Sequence, residues 1–164
     1  MKNHSVSALL VAGGVGSRMQ ASMPKQFMLL QQKPIARHSF DLFLEMPEIH
    51  EIIVVCDPQY REYFQVSRPN KRIAFAMPGA RRQDSVYNGL QEVSNPDSLV
   101  CIHDSARPLI DRQLVLRVLN AAAEVGAATV GMPVKFTVKE SDSNDFVART
   151  PDRSLVWEDR KSVV

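Results

Sequence analysis

The chain contains no apolar run that approaches the ~20 residues a transmembrane helix needs, so it is not expected to cross a bilayer. It has only two cysteines, Cys56 and Cys101, and each lies within an apolar run, which predicts buried free thiols rather than a disulfide or a metal site. A net charge of only +2 does not favour general nucleic-acid or membrane-surface binding. The apolar residues 6–12 run into glycines without a cleavage-type pattern, so we expect no signal peptide and a cytoplasmic protein.

What is present is typical of a soluble globular protein. The apolar share is 45% and the charged share 23%, and 164 residues suffice for one domain with its own core. No repeat or linker divides the chain, so we predict a single domain over residues 1–164.

Short apolar runs alternate with helical patterns along most of the chain. Buried strands are predicted at residues 7–11, 51–56, 72–76, 99–103 and 127–132. Helices are predicted from Pro34 to Pro47, after Asp57-Pro58, and at 83–93 and 111–125. This alternation predicts a doubly wound α/β fold with a mostly parallel sheet. Residues 134–150 alternate around a turn cluster, which predicts a protruding β-hairpin arm.

The exit of the first predicted strand is glycine-rich. Residues 12–19 read Ala-Gly-Gly-Val-Gly-Ser-Arg-Met, and such glycines let backbone N–H groups approach a phosphate. Met19 stands where a dinucleotide-binding fingerprint needs glycine, and no Gly-Lys-Ser/Thr triplet makes a P-loop. Arg18 adds a charge suited to phosphate, and Lys25, after Pro24, is placed to bend back over a triphosphate. A solvated surface lysine is the alternative for Lys25.

Two further loops carry candidate polar residues. Asp104 follows a buried strand and is suited to hold Mg²⁺ with substrate phosphates, and a simple turn cap is the alternative. Arg107 is suited to an anionic substrate, whereas His103 is interpreted as structural. Gly79 and Ser85 flank a helix start and could contact a base. Asp84 there fits equally well a simple cap or a partner of the helix dipole.

Taken together, these stretches resemble the 2-C-methyl-D-erythritol 4-phosphate cytidylyltransferase family, whose fold is nucleotidyltransferase-like. The resemblance is carried by residues 10–19, 24–27, 82–90, 103–108, 133–139 and 152–157. It implies transfer of CMP from CTP to 2-C-methyl-D-erythritol 4-phosphate with release of pyrophosphate, a step of non-mevalonate isoprenoid synthesis. By this resemblance Arg18 and Lys25 are catalytic, and Asp104 helps place Mg²⁺. The implied CTP-binding residues are Ala12, Gly13, Gly14, Gly16, Gly79, Ser85 and Ser105.

The resemblance also implies a homodimer formed through the hairpin arm. Arg107, Thr137 and Arg153 match positions expected to bind the sugar-alcohol phosphate, the last two by reaching into a partner's site. Phe136 stands where the family usually has an aspartate, so that local contact is not carried over.

The resemblance weakens after Trp157, where residues 158–162 replace the family's Thr-Pro-Gln-type segment. We therefore expect a domain that is truncated or altered at its C-terminus, without the family's late acidic motif and phosphate-binding lysine. Two alternatives stay open: a ribitol 5-phosphate cytidylyltransferase, and an inactive homologue that only binds nucleotide. A nicotinamide-dependent oxidoreductase is disfavoured by the missing third glycine.

Overall fold

The computed structural model describes the backbone of residues 5–14 and 23–163, and the side chains of those residues up to 158. The strands are β1 (Val6–Val11), β2 (Leu29–Leu30), β3 (Lys33–Pro34), β4 (Glu51–Val55), β5 (Arg72–Ala76), β6 (Leu99–Asp104), β7 (Thr129–Pro133), β8 (Glu140–Ser141), β9 (Val147–Arg149) and β10 (Trp157–Val163). The helices are α1 (Ile35–Glu45), α2 (Arg82–Leu90) and α3 (Arg112–Val125), and short 3₁₀ helices occupy Lys25–Phe27, Pro58–Phe64 and Arg153–Leu155. Within these described ranges, no helix is long and apolar enough to cross a membrane.

The contacts divide the chain into two compact units. The first extends to Ala128 and also includes Ser162 and Val163, and the second is Thr129–Lys161. The prediction of one domain over residues 1–164 stays a prediction.

A parallel sheet forms the centre of the first unit. Its strands lie in the order β5-β4-β1-β6, and every neighbouring pair among them is parallel. On the outer side of β6, Val163 and Ser162 pair antiparallel with Ile102 and His103. The predicted doubly wound, mostly parallel α/β fold is therefore confirmed.

Both faces of this sheet are covered, which is why its central strands read as continuous apolar runs. On one face, Leu10 belongs to a buried cluster with Phe40 of α1 and Leu119 of α3. On the other face, α2 crosses the sheet so closely that a Cβ on Gly89 would lie 2.5 Å from Leu9 Cδ1. Only a residue without a side chain fits there unless its neighbours move.

The two long helices begin and end where their sequences predict. In α1, Ala36, Phe40 and Phe43 are buried at helical spacing, and the helix ends before Pro47. In α3, the Asp111 carboxylate accepts a hydrogen bond from Leu114 N at 2.8 Å, which caps the helix.

The second unit contains the predicted hairpin. Strands β8 and β9 pair antiparallel with a bulge, and Asp142 Oδ1 accepts hydrogen bonds from Asn144 N (2.8 Å) and Phe146 N (3.0 Å) in the turn. Within the same unit, Val134 N donates to Val156 O at 3.2 Å. The hairpin prediction is confirmed, although its paired strands are shorter than residues 134–150.

The short helix predicted after Asp57-Pro58 is confirmed, and it is a 3₁₀ helix. Two features were missed by the sequence predictions. Strand β10 was not predicted, because residues 157–163 are too polar to read as a buried strand. The β2–β3 hairpin was missed because its turn residues, Gln31 (φ 51°) and Gln32 (φ 64°), are not the Asn-Gly pair that signals such a turn.

Candidate functional site

The candidate site of the first unit lies at the carboxyl edge of the parallel sheet. Strands β1 and β6 end together, because Val11 lies opposite Asp104 in the parallel register. The glycine-rich stretch after β1 and the loop after β6 therefore start side by side. Ligands of such sheets bind beyond the carboxyl ends of the strands.

The glycine-rich stretch begins in a fixed position. Ala12 is buried, and its N–H donates to Val55 O at 2.8 Å. Gly13 lies against Pro78, whose Cβ would be 2.4 Å from a Cβ added to Gly13. Gly14 is exposed, with open space where a side chain would project. Of the other predicted loop residues, Gly16 and Arg18 lie outside the described residues.

The segment that carries Lys25 is fastened to the glycine-rich stretch. Lys25 is exposed and opens the 3₁₀ helix Lys25–Phe27. Next to it, the buried Gln26 donates through Nε2 to Ala12 O (2.6 Å) and Gly14 O (2.8 Å). Sequence reasoning missed Gln26, whose only signal was an amide beside the motif lysine. The structure thus brings Lys25 into the neighbourhood of the predicted phosphate loop.

The loop after β6 places Asp104 and Arg107 next to each other. Asp104 Oδ1 accepts a hydrogen bond from Ala106 N at 3.1 Å, while Oδ2 lies 3.7 Å from Arg107 Nε. The Asp104 and Arg107 side chains are 23% and 40% exposed, so both are accessible to a ligand. Asp104 therefore caps its turn and still presents one oxygen, so the turn-cap and ligand interpretations are compatible.

Ser105 ties this loop back to β1. It is buried, and its Oγ donates to Val11 O at 2.9 Å while its N–H reaches the same carbonyl at 3.2 Å. Its contribution to a nucleotide site would come from the hydroxyl lone pairs, since the proton is committed to Val11.

His103 lies beneath the site rather than in it. The residue is 1% exposed, its ring meets Phe43 edge-on at 5.6 Å, and Nε2 lies 3.2 Å from Arg107 O. Burial lowers the pKa of His103 to about 4, so the imidazole is neutral at pH 7. This geometry agrees with the structural role predicted from the sequence.

The two predicted base-contacting residues, Gly79 and Ser85, are hydrogen-bonded to each other. Gly79 N donates to Ser85 Oγ at 2.9 Å, and a Cβ on Gly79 would lie 2.3 Å from Asp84 Cβ. Asp84 accepts from Arg81 N at 3.0 Å, which confirms the predicted capping role of Asp84. A nucleobase would therefore have to use the remaining hydroxyl lone pair of Ser85 or the backbone carbonyls nearby.

The candidate substrate residues of the second unit are exposed. Thr137 lies in the irregular segment between β7 and β8, next to Phe136, which is 82% exposed. Arg153 opens the 3₁₀ helix Arg153–Leu155, whose start is capped by Asp152 through Ser154 N at 2.9 Å. Both side chains are accessible for binding.

The number of possible metal ligands in the described part of the chain limits how a metal ion would be held. Among the described residues, no group of three or more His, Cys, Asp and Glu side chains could ligate a metal. Asp104 is a single accessible carboxylate at a strand end, which fits Mg²⁺ if substrate phosphates and water supply the other oxygens.

Comparisons with known proteins agree on one family. The model for 2-C-methyl-D-erythritol 4-phosphate cytidylyltransferase matches residues 6–161. A protein of that name, designated chloroplastic, from Oryza sativa subsp. japonica is 52% identical over 160 residues, covering 96% of this chain and 54% of the rice protein. The protein of that name from Chlamydia pneumoniae is 42% identical over 147 residues, covering 90% of this chain and 65% of its own length. The chain thus spans about half to two thirds of the length of these relatives.

Solved structures show the same fold. The 4-diphosphocytidyl-2C-methyl-D-erythritol synthase of Anaerococcus prevotii superposes with a TM-score of 0.85 at 24% identity, over 99% of this chain and 71% of that one. The 2-C-methyl-D-erythritol 4-phosphate cytidylyltransferase of Thermus thermophilus gives a TM-score of 0.69 at 28% identity, over 97% and 70% of the two chains. On the family match and the sequence identities, this chain belongs to the 2-C-methyl-D-erythritol 4-phosphate cytidylyltransferase family.

Proposed function

We propose that this chain transfers CMP from CTP to 2-C-methyl-D-erythritol 4-phosphate and releases pyrophosphate. The observation that carries the proposal is the convergence of three segments at one sheet edge. Gly14 and Lys25 are joined through Gln26, and Asp104 lies in register with the end of β1. Glycine N–H groups, a lysine ammonium and a metal-binding carboxylate are the components that phosphoryl transfer uses.

In the proposed reaction, a phosphate oxygen of the acceptor attacks the α-phosphorus of CTP. A new P–O bond forms as the bond between the α-phosphorus and the bridging oxygen breaks, and pyrophosphate leaves with that electron pair. The N–H groups of the glycine-rich stretch bind the triphosphate, and Arg18 and Lys25 stabilise the charge that develops on the phosphorus. No covalent enzyme intermediate is needed, because positioning and electrostatics supply the acceleration.

Mg²⁺ is part of this proposal. Asp104 would hold it together with phosphate oxygens, and the ion would neutralise charge on the triphosphate. Arg107, 3.7 Å from Asp104 Oδ2, is suited to receive the acceptor phosphate on the same side.

The substrate-binding roles of Thr137 and Arg153 are proposed to operate across a homodimer. Their exposure on the second unit supports a site completed by another copy of the chain. A subunit-mixing experiment tests this arrangement. Lys25→Ala and Arg153→Ala homodimers should each be inactive, whereas random mixing should restore about a quarter of the activity, since half the dimers then carry one intact site of two. Mixing without recovery would rule out a shared site.

The whole proposal is tested by measuring pyrophosphate release with CTP, Mg²⁺ and 2-C-methyl-D-erythritol 4-phosphate, with ribitol 5-phosphate in parallel. Release with the first acceptor only is the expected result. Release only with ribitol 5-phosphate would reassign the acceptor, and CTP binding without release from either would identify a nucleotide-binding homologue. A cytoplasmic location belongs to the same proposal and is tested by cell fractionation.

A further inference from the structure

We propose that Gln26 is a positioning residue that locks residues 12–14 and the Lys25 segment into the one arrangement that accepts the triphosphate. This inference rests on the proposed CTP site and assigns a role to a side chain that does not touch the substrate. It starts from an unusual placement: Gln26 is 3% exposed, although burying an amide is costly unless its polar atoms are bonded.

The side-chain amide nitrogen of Gln26 donates two hydrogen bonds. Its two N–H groups match two carbonyl oxygens, Ala12 O at 2.6 Å and Gly14 O at 2.8 Å. Both acceptors belong to the predicted phosphate-binding stretch, and they are two residues apart. One side chain therefore fixes the carbonyl directions of two peptide groups in this stretch.

Both ends of this connection are anchored. Ala12 is held to β4 by its hydrogen bond to Val55 O at 2.8 Å. At the other end, Phe27 is buried and stacks on Tyr60 at 4.0 Å and on Tyr63 at 5.5 Å. Gln26 thus joins residues 12–14 to residues 25–27, two segments that are each anchored by their own packing. Its hydrogen bonds hold these two segments at one distance from each other.

The orientation of the peptide groups has an electrostatic consequence. In a trans peptide the N–H points opposite to the C=O, so directing Ala12 O at Gln26 turns the Gly13 N–H away from Gln26. The carbonyl oxygens, which would repel a polyanion, are held by donors, while the amide hydrogen is presented on the opposite side. Gln26 thereby orients the peptide group between Ala12 and Gly13 in the way that an anion-binding site requires.

Lys25 precedes Gln26 directly and is exposed. The hydrogen bonds of Gln26 therefore also set where the backbone of Lys25 lies relative to Gly14. If the glycine N–H groups and the ammonium act on one phosphate chain, releasing the tie should weaken both contributions together. Gln26 and Lys25 are then energetically coupled, although Gln26 positions the backbone and Lys25 acts on the phosphate.

The test uses two substitutions that keep the size of the side chain. Gln26→Met removes both donors, and Gln26→Glu keeps the shape but offers acceptors in their place. Gln113→Met, on the exposed face of α3, is the matched control. With CTP as the titrant in calorimetry, both Gln26 variants should bind about tenfold more weakly or worse, the effect of two lost hydrogen bonds, and the control should match the original chain.

A double-mutant cycle separates positioning from general destabilisation. In the Lys25→Ala background, Gln26→Met should cost several-fold less CTP affinity than in the original chain, because the lysine contribution is already gone. Full additivity, or unchanged CTP affinity in Gln26→Glu, would overturn the inference. Melting temperatures of all variants identify any loss that is due to unfolding.

Amide hydrogen exchange distinguishes failure of this inference from failure of the proposed function. In the nucleotide-free protein, Gln26→Met should speed exchange of the hydrogen-bonded amides of Ala12 and Phe27 by about tenfold and leave β4 and β5 unchanged. If the original chain binds no CTP, the proposed function is wrong, and the exchange rates alone decide whether Gln26 orders the two segments. Unchanged exchange at both amides would overturn its positioning role.

Discussion

Gly13 and Pro78 pack so closely that a Cβ atom on Gly13 would lie 2.4 Å from the Cβ of Pro78. Gly13 follows β1, and Pro78 follows β5, two strands away in the sheet. This contact fixes the separation of the proposed phosphate loop from Gly79, the proposed base-contacting residue next to Pro78. Close approach of two backbones is therefore the physical reason for glycine at this position.

We predict that Gly13→Ala destabilises the protein by about 1–3 kcal/mol, the usual cost of forcing a methyl group into a packed site. Gly14→Ala is the matched control for stability, because nothing lies within 4 Å of the added Cβ, and it should change stability by less than about 0.5 kcal/mol. Urea unfolding of the two variants measures the difference. Equal stabilities would show that the Pro78 contact yields without cost.

Removing the proposed transition-state charge should impair turnover more than folding. We predict that Lys25→Ala lowers the pyrophosphate release rate of an active protein by about 100-fold or more, and that Arg18→Ala does the same. Arg117→Ala, which removes an exposed charge on α3, should leave the rate unchanged. Steady-state kinetics check this, and normal rates in both Lys25→Ala and Arg18→Ala would remove these residues from the mechanism.

Acid stability should depend on Glu51 at the start of β4. Burial raises the pKa of this carboxyl, but hydrogen bonds from Ser7 Oγ (2.7 Å), Ser94 N (3.0 Å) and Arg72 (2.6 Å) hold it below 4.5 overall. A lowered folded-state pKa means that the unfolded chain binds the proton more readily. The resulting stabilisation is present above pH 4.5 and is lost as the pH falls through the folded-state pKa.

The free energy of unfolding in urea, measured from about pH 6 to pH 3, tests the Glu51 prediction. Glu51→Gln should be less stable near neutral pH and show a shallower loss in acid. Glu124→Gln, exposed on α3, should follow the original curve. A Glu51→Gln curve parallel to that of the original chain would contradict the prediction.

The two cysteines should be inert in the folded protein. Burial raises the pKa of Cys56 to about 11 and that of Cys101 to about 12, so neither forms appreciable thiolate at pH 8. Ellman's reagent should titrate no fast-reacting thiol in the native state and both in guanidinium chloride, in agreement with their assignment as free cysteines. Rapid modification of either in the native protein would mean that β6 or the end of β4 opens readily.

The sequence by itself determined the elements that depend on local chemistry. Continuous apolar runs specify strands buried on both faces, so β1, β4, β5 and β6 were predicted within a residue or two. Helix α1 begins after Pro34 and helix α3 after Asp111, residue types that favour the start of a helix. The glycine-rich stretch, Lys25 and Asp104 were predicted as site residues because their residue types and positions suit phosphate and Mg²⁺ binding.

Only the tertiary structure decided the features that depend on distant partners. Strand β10 has no apolar pattern that would predict it. Its residues 162 and 163 are in a strand because their backbones pair with β6. The sequence assigned no role to Gln26, whose two partners are carbonyls of the glycine-rich stretch that only the fold brings to it. The close contact of Gly13 with Pro78 likewise joins residues far apart in the chain. Local propensity and periodicity report on neighbours in sequence, whereas these interactions exist only after the sheet has assembled.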